Sequence, residues 1–70
     1  MSSKLPRLTA KQAIKQLKAA GFVEASQSGS HLKLFNVETR RTAIVPICSS
    51  KIIPIGTLKA IEKQADIKFS

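Results

Sequence analysis

Cys48 is the only cysteine in this 70-residue chain, and His31 is the only histidine. Those two counts remove the devices with which very short chains usually compensate for a small core. An internal disulfide needs a second thiol, and a structural zinc site is almost always four-coordinate. A chain of this length buries only roughly 60% of the surface that its unfolded form exposes. Its stability has to come from regular elements closed around one apolar core, and a partner covering part of the surface would add to it. The expectation is one domain over residues 1–70. The lone thiol also points to a reducing compartment.

The punctuation of the chain says which elements close that core. Residues 1–8 read as a short N-terminal arm, flexible to Arg7 and ending on Leu8. Thr9 followed by Gln12 is a capping box, with Leu8 placed to staple against Ala13. Ala10, Ala13, Ile14, Leu17 and Ala20 recur at helical spacing, and Gly21 supplies a left-handed stop. A helix over Ala10–Ala20 is predicted. Three short strands follow: Phe22 to Gln27, His31 to Asn36 and Thr42 to Pro46, separated by turns at Ser28-Gly29-Ser30 and Val37 to Arg40. Pro46 suits the end of an edge strand, where its missing donor does little harm.

A loop over residues 47–55 holds Ser49, Ser50 and Pro54. A second helix runs from about Gly56-Thr57 to Ala65. Leu58, Ile61 and Ala65 form its apolar face, and Lys59, Glu62 and Lys63 turn to water. Asp66 stands at its left-handed stop, a geometry that short polar residues tolerate. The order α-β-β-β-α predicts an α+β fold, a three-stranded antiparallel sheet with both helices on one face.

Charge narrows the partners. Twelve Lys and Arg against four Asp and Glu give a formal net charge of +8. That balance suits a nucleic acid, an anionic membrane surface or an acidic protein. The longest apolar run, Ala43 to Cys48, is broken by Pro46 and too short to span a bilayer. No apolar stretch follows the basic N-terminus as in a signal peptide, so a cytoplasmic location without membrane attachment is expected. Lys11, Lys15 and Lys18 share a narrow arc of the first helix, beside its apolar face. Lysines on such a flank are ordinarily just solvated, and a phosphate backbone is the alternative use.

If the second hairpin turns around Glu38 and Thr39, cross-strand partners sum to about 77. Leu32 then faces Val45, and Leu34 faces Ala43, which marks the helix-covered side. His31, Lys33 and Phe35 project from the opposite side, because side chains alternate along a strand. His31 falls near Pro46 and Cys48, at a sheet end, beside the Gly29 turn and the Ser-rich loop. Histidine is the side chain that ordinarily changes charge near neutral pH, so this is a place for proton transfer at a phosphodiester. Phe35 and Ile44 make an apolar pair on the same side, which a second copy in a weak homodimer, or another protein, would cover.

At this point the ordered set of short motifs resembles the HicA toxin family. The set is Leu17-Lys18-Ala19-Ala20-Gly21-Phe22, Gly29-Ser30-His31, Val45-Pro46, Gly56-Thr57-Leu58 through Ile61, and Lys63-Gln64-Ala65. It covers about residues 10–67. The resemblance implies a double-stranded-RNA-binding-domain-like fold and the toxin half of a type II toxin–antitoxin pair. It also implies an endoribonuclease acting on mRNA, held inactive by a HicB-like antitoxin, with His31 as the catalytic histidine of the Gly-Ser-His element. Where the family commonly carries a second histidine just after Val-Pro, this chain has Cys48, and Asp66 stands in place of a usual Gly.

The chemistry implied needs no metal or other cofactor. His31 takes the proton of a ribose 2′-hydroxyl as general base and can return it as general acid. Lys33 or Lys51, with the backbone around Gly29 and Ser30, steadies the charge that builds on the phosphate. Lys11, Lys15, Lys18, Lys59 and Lys63 are the further candidates for RNA contact. Two other uses of the same residues stay open: Cys48 as a nucleophile activated by His31, and a His31–Cys48 metal site, which is one ligand short of what zinc normally takes. A catalytically inactive RNA-binding module of the same fold is the alternative to the enzyme.

Overall fold

The computed structural model describes residues 7–47 and 51–70. Most of the expected arm, together with Cys48, Ser49 and Ser50, lies outside the described residues, so the approach of Cys48 to His31 does too.

Helix α1 spans Ala10–Ala19. Its capping box forms in both directions: the Gln12 amide donates to Thr9 Oγ1 at 3.3 Å, and the Thr9 amide donates to Gln12 Oε1 at 3.0 Å. Leu8 and Ala13 are both buried in the core, as a staple requires. The helix is one residue shorter than the sequence suggests. Ala20 leaves helical geometry, with φ −87° and ψ 2°, to act as cap, and Gly21 at φ +102° reverses the chain. A Cβ on Gly21 would also stand 3.1 Å from Asn36 Nδ2. Glycine is needed there twice over, for its backbone and for its lack of bulk.

Strands β1 (Phe22–Ser28), β2 (His31–Asn36) and β3 (Thr42–Pro46) form one antiparallel sheet in the order β1-β2-β3. The β2–β3 register is the one expected, with Leu32 opposite Val45 and Leu34 opposite Ala43. β1 runs to Ser28, one residue further than predicted, because Ser28 pairs with His31 and leaves only Gly29 and Ser30 to turn. Gly29 has φ +59° and Ser30 no positive φ, the pattern of a type II′ turn, whose twist matches the flanking strands. A bulge between Glu24 and Ser26 inserts Ala25 into β1. It changes the parity of that strand: Val23 and Ser26, rather than Val23 and Ala25, share a side with Phe35 and Lys33.

Helix α2 spans Ile55–Ala65 and starts one residue earlier than expected. Pro54 stands before it in extended geometry, and the Leu58 amide reaches the Pro54 carbonyl at 2.9 Å to close the first turn. Asp66 caps its end with φ 57°, as its short polar side chain allows.

Both helices cover one side of the sheet. Ala10, Ala13 and Leu17 of α1, and Leu58, Ile61 and Ala65 of α2, pack with Phe22, Leu32, Leu34, Ala43 and Val45 in a single cluster. Two contributions to it were not expected. The chain at Ile52 forms an antiparallel bridge with Thr9, and the Ile53 amide donates to the Leu8 carbonyl at 2.8 Å, which buries both Leu8 and Ile53. Residues after α2 fold back as well. Phe69 is buried, and its amide donates to Glu62 Oε2 at 2.7 Å, so Glu62 is half-buried rather than turned to water. Gln16 exchanges two hydrogen bonds with the backbone of Ser70.

The outer edge of β3 is partly blocked. The Ile47 amide donates to the Ser30 carbonyl and the Asn36 amide to the Arg41 carbonyl, so odd-numbered residues of this strand face β2 and even-numbered ones face outward. Of those outward groups, the Ile44 amide donates to Gln64 Oε1 of α2 at 3.3 Å, and Pro46 has no amide hydrogen.

Candidate functional site

His31 is the first residue of β2, and cross-strand pairing sets its neighbours on the uncovered side of the sheet: Ser28 on β1 and Pro46 on β3. It is exposed. Two features fix its end of the sheet. The II′ turn holds Gly29 and Ser30 immediately before it, and the Ile47 amide pins the Ser30 carbonyl beyond Pro46. A Cβ on Gly29 would meet nothing within 4 Å. The glycine is there for its positive φ, and the space beside it is open to a ligand.

Along the same side, two residues on, exposed Lys33 lies opposite Ser26 and Ile44. Two further on, half-buried Phe35 lies opposite Val23 and Thr42. Val23 and Ile44 are 54% and 42% exposed, large values for apolar side chains on a sheet. None of these positions carries a carboxylate. The four acidic residues stand at other positions, three of them partnered. Glu24 faces the helix side and pairs with Lys18 at 2.6 Å, Glu38 sits in the β2–β3 turn, Glu62 accepts from Phe69, and Asp66 lies 3.9 Å from Arg41. The uncovered side therefore presents a histidine and an ammonium group with no opposing charge, a field that favours an anion.

The remaining candidate lysines lie on the helix layer. Lys11, Lys15, Lys18, Lys59 and Lys63 are all exposed on α1 and α2. α1 reverses into β1 at Gly21, so its N-terminal end, with Lys11, points toward the sheet end that holds His31. Lys51 is exposed beside Ile52, whose bridge to Thr9 brings it to that same end of α1. Lys18 differs from the others through its ion pair with Glu24. His31, Lys33, Gly29 and Ser30 are thus brought together, and the α1 and α2 lysines flank them across the thickness of the sheet.

Sequence reasoning missed Ser26, Ser28 and Val23 as members of this side. The Gly29-Ser30 turn alone would have placed Ser28 opposite His31. The bulge at Ala25 carries no clear signal, so Ser26 and Val23 were out of reach. Among the described residues, no group of three or more His, Cys, Asp or Glu could hold a metal ion, and no helix is long and apolar enough to cross a membrane.

A family model described as HicA toxin of bacterial toxin-antitoxin matches residues 10–67. A search of curated proteins returned no match.

Proposed function

The chain belongs to the HicA toxin family of bacterial toxin–antitoxin systems, and on that premise we propose that it is a metal-independent endoribonuclease acting on mRNA. The observation that supports this most is the setting of His31. It is the one histidine of the chain, it stands exposed at a sheet end, and it shares a carboxylate-free side with Lys33.

The reaction balances with these residues. His31 removes the proton from a ribose 2′-hydroxyl, the 2′-oxygen forms a bond to the adjacent phosphorus, and the bond from phosphorus to the 5′-oxygen breaks. The leaving oxygen takes a proton from the imidazolium, from water or from a lysine. General acid–base catalysis of this kind contributes typically about 10²- to 10⁴-fold. Lys33 or Lys51, with backbone amides around Gly29 and Ser30, stabilises the charge on the phosphoryl oxygens. Lys11, Lys15, Lys59 and Lys63 hold the flanking backbone, for which a strand passing His31 bends around the end of the sheet. One product ends in 2′,3′-cyclic phosphate, or in 3′-phosphate where water then opens the ring, and the other begins with a 5′-hydroxyl.

The toxin's partner is an antitoxin, which we take to be an acidic HicB-like protein drawn to the same cationic surface, in the cytoplasm. One reading competes with the enzyme: an RNA-binding module without chemistry. It is favoured by the five lysines exposed on the helix layer, across the thickness of the sheet from His31. Purified protein incubated with matched RNA and all-deoxy oligonucleotides, with and without a chelator, decides between them. The enzyme cuts RNA alone and ignores the chelator; an intact RNA band means a module.

A further inference from the structure

Resting on the reading just given, we infer that Phe35 and Lys33 form a platform for one unpaired base of the RNA, so that the substrate crosses the uncovered sheet as a single strand. The apolar side chains on this side are not scattered. Val23, Phe35 and Ile44 occupy adjoining positions on three neighbouring strands, while the row at His31 is polar apart from Pro46. Phe35 lies four residues from His31 on the same strand, about 13 Å along it, a span of a few nucleotides. Lys33 stands between them.

A duplex offers this surface only its phosphates and hydroxyls, which gain nothing from an aromatic ring. An unpaired base offers a flat face that stacks on it while its phosphate meets the ammonium group. Charge argues for the same occupant. No carboxylate stands among these positions, and Lys33 has no ion-pair partner among the described residues.

The chain has neither Trp nor Tyr, so Phe35→Trp installs a single fluorophore at the platform. Placed in a His31→Ala background, it should be quenched by a short unstructured RNA and not by the same sequence in duplex form. In that background Phe35→Ala should weaken binding of the unstructured RNA about tenfold and leave duplex binding nearly unchanged. Phe35→Leu, which keeps apolar volume without the ring, should show the same loss and guards against a folding defect. Equal quenching by duplex overturns the proposal. So does a reporter silent to RNA but quenched by an acidic protein partner, which would assign the patch to protein docking. If the unmodified protein cuts RNA while the reporter stays silent, the platform alone fails. If RNA stays intact while the reporter is quenched, the nuclease reading fails and the platform stands.

Discussion

The side-chain amide of Asn36 donates to the Ala20 carbonyl at 3.2 Å, joining the last residue of β2 to the cap of α1. Its oxygen accepts from the Glu38 and Thr39 amides at 2.9 and 3.1 Å. Asn36 is the one buried polar residue among those described, and its side chain serves the helix end and the β2–β3 turn at once. Removing it strands groups in both. Asn36→Ala should cost about 2 kcal/mol, and the melting temperature should fall by on the order of 10 °C. A melt within a few degrees of the parent would show that water replaces these bonds freely.

Two glycines should respond in opposite directions. Gly21→Ala meets both a positive φ and the Asn36 amide, and should destabilise by more than about 1 kcal/mol. Gly56 is the second residue of α2 with open space around it and no positive φ, so Gly56→Ala should stabilise by about 0.4–1 kcal/mol. Urea unfolding of the two variants measures both: a Gly21→Ala that is not destabilised would refute the account of Gly21, and a Gly56→Ala that is destabilised would refute that of Gly56.

His31→Ala should abolish cleavage while leaving RNA affinity nearly intact, because phosphate contacts supply most of the affinity. Expression of the chain alone should arrest growth, and expression of the variant should not. A variant that still produced cyclic-phosphate ends would move the general base elsewhere.

The lysines of α1 should not contribute equally. Each one that contacts phosphate of a single-stranded RNA should steepen the fall of log affinity with log salt by about 0.7. Lys18 is already neutralised by Glu24, so Lys18→Ala should flatten that dependence less than Lys11→Ala or Lys15→Ala. Titrations of RNA binding across a salt series compare them. The ion pair itself is half exposed on both sides, and its loss should change stability little.

These predictions draw unequally on what the chain declares about itself. The capping box at Thr9 and Gln12, the stops at Gly21 and Asp66, and the pairing of β2 with β3 are local signals: each is set by neighbours in sequence or by a short turn. The sidedness of His31, Lys33 and Phe35 follows from that pairing by alternation. The bulge at Ala25 is different, because nothing in Glu24-Ala25-Ser26 requires it, and it decides which β1 residues meet the site. Asn36 reads locally as the end of a strand; its reach to Ala20 depends on how α1 lies on the sheet. Phe69 and the Ile52–Thr9 bridge are likewise set by distant partners. What was legible was local, and what was missed is tertiary.

The flank of β3, where Gln64 occupies the Ile44 donor and Pro46 offers none, is a poorer template for strand addition than the flank of β1. A visiting strand therefore finds its better seat on the β1 side. Two copies meeting there would use up each other's freer border, which disfavours growth beyond a pair into a fibre.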